Sequence, residues 1–248
     1  MQNMKLQAIR QITGRIILKS GLHIGAGNME MRIGGTDSPV IKHPHTQEPY
    51  IPGSSVKGKV RSLVELAFGL VPFAHKDGGV TSLKTYRELE GKAELKKQCE
   101  KVLKVFGYSP SDQEKDKELA ADLGPTRVSF ADCSLNKDWK TKAVDNHWAL
   151  TEVKSENSID RIQGAAQHPR FIERVPAGCE FDFRVSFRIL EDADKELFND
   201  LLSGLKLLEL DALGGSGSRG YGRIEFADLN VDGEPIKEKF DQIKPFAK

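Results

Sequence analysis

Between residues 180 and 190 apolar and polar side chains alternate without interruption, with Phe181, Phe183, Val185, Phe187 and Ile189 in phase. Successive strand residues point to opposite faces, so this run predicts a β-strand with one face on a core. Residues 8–19 also read as a strand, closing on Ile16, Ile17 and Leu18. Gly53-Ser54-Ser55 opens a helix that Ser54 or Ser55 can cap, with Val56, Val60, Leu63, Val64, Leu66 and Ala67 as its apolar face. Residues 127–133 form a third strand. After the alternating run, Asp192 or Asp194 caps a helix that turns Leu197, Phe198, Leu201, Leu202, Leu205 and Leu208 inward. Residues 223–226 supply the last strand. Strand, helix, strand, strand, helix, strand is the split βαβ or ferredoxin-like order, an α+β class, here with large insertions.

The insertions differ in character. Residues 20–52 hold five glycines and four prolines, a long stretch to be a structureless loop, which implies function or disorder. Residues 86–106 show a Lys- and Glu-rich helical pattern, and 109–122 look like an exposed, mobile insert. Residues 145–176 are polar with no helix period and read as an extended excursion from the core.

At 248 residues the chain suits one large domain or a domain with insertions, able to stand without disulfides. Its 38% hydrophobic and 29% charged residues mark it as globular. No apolar run approaches the roughly 20 residues that span a bilayer. Residues 1–10 lack the apolar core of a signal peptide. Cys99, Cys133 and Cys179 lie far apart and fit reduced thiols, so a cytoplasmic protein is expected. The net charge is only +1. Any nucleic-acid affinity must then come from local patches, or from an assembly in which each copy covers a few phosphates.

Two glycine motifs mimic nucleotide sites. Gly53-x-x-x-x-Gly58-Lys59 resembles a P-loop, but Val60 stands where a hydroxyl should meet Mg²⁺. What survives is a helix N-terminus with serines, an anion site in principle, with Lys57 and Arg61 on one helix face. Taken alone, the motif favours the simpler reading of a capped helix with a solvated basic face. Gly214-Gly215-Ser216-Gly217-Ser218-Arg219-Gly220-Tyr221-Gly222 follows a helix and precedes a strand, the reverse of a dinucleotide fingerprint. Its glycines let a backbone approach another backbone or a ligand, and Arg219 and the serines add phosphate-binding groups.

Asp37, before Ser38-Pro39, is either an Asx-turn residue or a carboxylate presented to a ligand, as a metal ligand or proton acceptor. His23, in Gly21-Leu22-His23-Ile24-Gly25, can act as a base, bind phosphate or cap a turn. His43 and His45 lack a third ligand at useful spacing, so no zinc is assigned. Aromatics are 7% of the chain, and no strand carries the aromatic signature that stacks bases.

Three blocks carry a resemblance: Gly21-Leu22-His23-Ile24-Gly25, Gly35-Thr36-Asp37-Ser38-Pro39-Val40-Ile41, and Ile51-Pro52-Gly53-Ser54-Ser55-Val56-Lys57-Gly58-Lys59-Val60-Arg61. With Val105-Phe106-Gly107, Arg127-Val128-Ser129-Phe130-Ala131-Asp132, Lys154-x-Glu156-x-x-Ile159-Asp160-Arg161 and the glycine loop before Arg223-Ile224-Glu225-Phe226, the chain resembles the backbone subunits of type III-A (Csm) CRISPR effectors, a RAMP-superfamily group. A type III-B or III-D relative stays open.

The resemblance implies a single domain over 1–248: a modified ferredoxin-like or RRM-like palm, a lid or helical insertion at about 70–125, and a protruding thumb hairpin at about 145–178. It implies guide RNA (crRNA), target RNA, further copies in a filament and other type III subunits as partners, and no membrane. It implies an endoribonuclease that cuts the target at regular intervals, with Asp37 catalytic and a divalent metal, Mg²⁺ first, as cofactor. Guide contacts carry over to His23, Ser54, Ser55, Lys57, Arg61, Lys154, Arg161, Gly215, Ser216 and Arg219. Guide pairing reads the sequence, so the protein needs no base code. Two other readings stay open: a backbone subunit that binds guide RNA without cutting, and a metal-independent RAMP endonuclease that processes guide precursors through His23.

Overall fold

The computed structural model describes residues 4–27, 38–74, 78–109, 114 and 116–246. Its frame is a five-stranded antiparallel sheet in the order β2-β5-β1-β6-β7. The strands are β1 (Ala8–Leu18), β2 (Val128–Phe130), β5 (Glu180–Ile189), β6 (Ile224–Val231) and β7 (Glu234–Pro235). Taken in chain order, the first four give the 4-1-3-2 arrangement of a ferredoxin-like sheet, as the alternation and element order predict. β1 is central: Ile12 pairs with Val185 on one side and Val231 on the other. Its inward residues Ile12, Ile16 and Leu18 are buried, as are Phe181, Phe183, Val185 and Phe187 of β5. The last strand is longer than expected, because Leu229 and Val231 continue its buried face beyond Phe226.

Two helices cover this face, α1 (Gly53–Ala67) and α6 (Asp194–Leu210). Phe187 meets Phe198 of α6 edge-on at 5.5 Å, and Phe183 packs on Phe226 at 4.9 Å. Neither helix starts as the sequence suggests. α1 has Pro52 as N-cap and no side-chain cap from Ser54 or Ser55. Instead, the Gly53 N–H donates to Asp132 Oδ1 at 2.7 Å, so the cap comes from the segment after β2. α6 has Ala193 as N-cap, while Asp194 is buried one residue inside and accepts from the Leu190 and Glu191 N–H groups. Leu66 is exposed in place of Glu65, which is buried and paired.

The helical pattern over 86–106 resolves into α2 (Leu83–Glu88), capped by Ser82, and α3 (Ala93–Phe106). Residues 109–122 are not wholly an exposed insert. Asp116 caps α4 (Lys117–Leu123), whose Leu119, Ala120 and Leu123 join the core. A further helix, α5 (Lys137–Asp145), has only Trp139 and Ala143 buried, too little apolar signal to read from the sequence. It precedes a separate two-stranded hairpin, β3 (Glu152–Ile159) and β4 (Ala166–Arg174). Most hairpin residues are exposed and only its base is buried. Helix α7 (Lys237–Asp241) closes the described chain, with Phe240 against Phe226. Among the described residues no helix is long and apolar enough to cross a membrane. All three cysteines are free and buried, which pushes each thiol up to about 12.

Candidate nucleic-acid interface

Two glycine segments far apart in sequence meet back to back. The Gly215 N–H donates to His23 O at 2.9 Å, and the Gly222 N–H donates to Gly21 O at 2.9 Å. Gly214 and Gly222 have φ of +75° and +70°, and a Cβ on either would strike backbone, of His23 and of Leu213 respectively. Of the two roles the glycine run allowed, close approach to another backbone is therefore the one it fills at these two positions. The remaining stretch, Ser216 to Gly220, turns outward in a short 3₁₀ segment and leaves Arg219 exposed.

His23 sits on this seam. Its Nδ1 lies 2.7 Å from Glu173 O, so Nδ1 carries the proton and donates it to that carbonyl. Glu173, buried at the base of the hairpin, organises the surrounding loop. Its Oε2 accepts from the Val40 N–H at 2.9 Å and its Oε1 from Lys42 Nζ at 2.6 Å. Burial pushes this carboxyl up, but the bonds from Lys42, Val40 and Thr151 outweigh it and hold the group below the usual glutamate range. The Glu173 N–H donates to Ser38 O at 3.1 Å, and Ser38 bridges Ile172 in parallel. Asp37 itself lies outside the described residues. Its neighbour Ser38 is thus fixed between the hairpin base and the His23 seam.

Helix α1 sends its basic side chains two ways. Lys59 pairs with Asp211 at 2.7 Å, tying α1 to the residue that leads into the glycine loop. Ser54 is exposed and Ser55 half-buried near this end. Arg61, expected on the RNA-facing side, turns inward instead. It bonds Glu65 at 2.8 Å, Gly107 O at 3.0 Å and Thr81 O at 2.6 Å, with its side chain 15% exposed. A buried carboxylate and two carbonyls satisfy it, so it holds the helical insertion to α1. Lys57 is half-buried with no ion pair among the described residues. Burial and the nearby Arg61 charge both lower its pKa, which an arriving anion would reverse.

The hairpin reaches the glycine loop through Glu156. Its Oε1 accepts from Tyr221 Oη at 2.8 Å and its Oε2 from Arg219 at 3.0 Å. The Tyr221 bond is the first reason that this carboxyl titrates low. Lys154 and Arg174 lie over the Tyr221 ring at 4.6 and 4.9 Å. Lys154, Gly215, Ser216, Arg219 and His23 are therefore gathered at one junction. Arg161 is elsewhere, at the hairpin tip, where Asp160 accepts from the Ile162 and Gln163 N–H groups.

Among the described residues no group of three His, Cys, Asp or Glu side chains is placed to hold a metal ion. His43 accepts weakly from the His45 and Thr46 N–H groups and caps its own turn. Sequence reasoning missed the hydrogen-bonding roles of Glu173, Glu156 and Asp132. Glu173 had a readable sign, an acid within Phe171-Ile172-Glu173-Arg174-Val175; Glu156 and Asp132 stand in blocks that carry the resemblance, but nothing in those blocks marks which groups they bond.

A family model described as the RAMP superfamily matches residues 15–225. The CRISPR system Cms endoribonuclease Csm3 of Methanocaldococcus jannaschii is 39% identical, over 97% of this chain and 87% of that protein. Its namesake from Methanothermobacter thermautotrophicus is 37% identical, over 94% and 90%. The crystal structure of a Csm3–Csm4 subcomplex of the type III-A CRISPR-Cas interference complex superposes with a TM-score of 0.52 at 28% identity, over 97% of this chain and 86% of that one. Such coverage, on a ferredoxin-like sheet, means that the chain belongs to the RAMP superfamily and, within it, to the group of the Csm3 proteins.

Proposed function

We propose that this chain is a backbone subunit of a type III CRISPR interference complex. It binds guide RNA alongside further copies of itself and other type III subunits, and cleaves complementary target RNA at regular intervals, with Asp37 at the reacting phosphodiester. The observation that carries the assignment is the anchoring of Ser38 by the Glu173 N–H and its bridge to Ile172. It ties the segment leaving Asp37 to the hairpin base, one residue from the carbonyl that holds His23.

The chemistry follows from geometry. In-line attack by a ribose 2′-OH needs a splayed nucleotide, which a regular duplex resists. A protruding hairpin to which the segment after Asp37 is tied at Ser38 favours positioning, which accounts for much of a catalytic effect of this kind. His23, Lys154, Gly215, Ser216, Arg219, Lys57, Ser54 and Ser55 hold the guide backbone in this reading, and Arg161 meets RNA at the hairpin tip. Arg61 leaves the set, because its guanidinium is committed inside. A divalent ion, Mg²⁺ first, would supply charge neutralisation at the phosphate oxygens. Asp37 and those oxygens would hold it, which suits an ion that keeps most of its waters.

The test uses the co-expressed complex with its guide and labelled complementary RNA, with Mg²⁺ or with EDTA. Regularly spaced cuts that vanish in Asp37→Ala, by at least about a hundredfold, while binding persists, are the expected result. A labelled guide precursor that is cut in EDTA by wild type and by Asp37→Ala but not by His23→Ala, with no cutting of complementary RNA, would establish the metal-independent processing reading instead.

A further inference from the structure

Where the hairpin meets the glycine loop, a polar cleft of about 330 Å³ opens between Glu156, Asn157, Ser158, His168, Arg170 and Arg219. Its charge is unbalanced. Glu156 is the cross-strand partner of Arg170. Yet its two oxygens are taken by Tyr221 and Arg219, with Lys154 at 3.5 Å. Arg170 is left exposed, with no ion pair among the described residues. His168 likewise has no partner there.

The backbone around His168 is built to aim that side chain. Glu156 pairs with Arg170 and Ser158 with Gln167, so His168 and Pro169 together oppose the single residue Asn157. That is a β-bulge, and Pro169, with no N–H to give the ladder, explains why pairing breaks there. His168 takes φ of +53°, in the left-handed region, where histidine is one of the side-chain-bearing residues found more often. Bulges of this kind re-aim a side chain, and local strain of this kind gathers at ligand sites.

We infer that this cleft is a phosphodiester subsite, in which Arg170 and His168 of the hairpin and Arg219 of the glycine loop grip one RNA phosphate together. Two guanidinium groups and an imidazole supply donors from two elements, and Ser158 and Asn157 add neutral ones. Forked guanidinium donors match phosphate oxygens. The subsite rests on the RNA-binding reading above and adds two residues to it. The phosphate comes from either the guide or the target strand, and the test separates them.

The full chain is titrated with labelled single-stranded RNA over a series of salt concentrations, as wild type, Arg170→Ala, His168→Gly and the control Lys84→Ala. The co-expressed complex is assayed in parallel for guide content and for binding of complementary RNA. Arg170→Ala should weaken binding about tenfold. It should also flatten the dependence of log affinity on log salt by about 0.7, the loss of one phosphate contact on a single strand. His168→Gly should weaken binding severalfold while its thermal midpoint holds or rises, since glycine accepts the positive φ; a merely structural histidine would not give that pair of results. Reduced guide content assigns the phosphate to the guide; normal guide content with weaker complement binding assigns it to the target. Unchanged affinity and salt slope in both variants, with wild type binding RNA, overturns the subsite and leaves the proposed function intact. Wild-type protein that binds no RNA, alone or in the complex, removes both.

Discussion

Glu173 shows how much of the interface hangs on one buried carboxylate. It holds Val40 and Lys42 by its side chain, and Ser38 and His23 by its backbone. Because its folded pKa is depressed, the stability it contributes is present above the ordinary glutamate value of about 4.3. That stability is lost as pH falls through the lower folded value. Glu173→Gln turns an amide donor toward either Lys42 or the Val40 N–H, orphaning a buried group at a cost of about 1–3 kcal/mol. Urea denaturation at pH 7 should read that loss, and the difference from wild type should shrink as the pH drops below 4. A difference constant from pH 7 to pH 3 would remove Glu173 from the acid limb. At this scale the sequence was legible where chemistry demands a residue type and mute where context decides. His23 and Arg219, both singled out by their motifs, stand at the junction. Arg61 looks the same as Lys57 in sequence, four residues apart on one helix, and it takes the Glu65 carboxylate and the carbonyls of Thr81 and Gly107 to make Arg61 a strut while Lys57 stays half-buried without an ion pair among the described residues.

Between elements, α1 packs closely on α6 at Gly204. A Cβ on Gly204 would lie 2.8 Å from Val64 and 2.9 Å from Val60, both stiff at χ1. Gly204→Ala should therefore destabilise the fold by about 1–3 kcal/mol through overpacking, partly offset by about 1 kcal/mol of helix propensity. Adding Val64→Ala should recover part of the loss, and a double-mutant cycle on denaturation midpoints reads the coupling. Strictly additive effects would show that the helices separate freely. The elements of the sheet were the most readable part of the chain, since Phe181 to Ile189 repeat with a period that only a half-buried strand produces. α5 and α4 were the least readable. Both are short, α5 is mostly polar, and each takes its place from tertiary contacts: Trp139 and Ala143 in one, Leu119 and Leu123 in the other. The hairpin shows no helix period because it is a ribbon with most of both faces in solvent.

Across the molecule, Arg127 joins the helical insertion to the sheet. Fully buried, it bonds Leu123 O at 2.6 Å and Pro125 O at 2.7 Å at the end of α4, and Asp194 at 3.1 Å at the start of α6. Its backbone N–H reaches Lys104 O of α3. Arg127→Ala leaves Asp194 buried without its counter-ion and should cost roughly 3–5 kcal/mol. Thermal unfolding and limited proteolysis check this, and cleavage should concentrate between residues 107 and 126; a wild-type melting curve would overturn it. The strand order has a further bearing on how such a chain is made. β1 is translated first of all the strands, yet its neighbours lie far downstream: Arg15 meets partners 165 and 213 residues later. Until the ribosome has passed Val231, β1 has at least one open edge, and the seam between Gly21 and Gly222 does not exist. Long-range pairing of this kind is slow and leaves strand edges exposed meanwhile. A chain cut short by a nonsense codon before β6 thus has no glycine seam and no seat for Glu156. Quality control is written into the topology: an incomplete copy lacks the junction proposed to hold RNA.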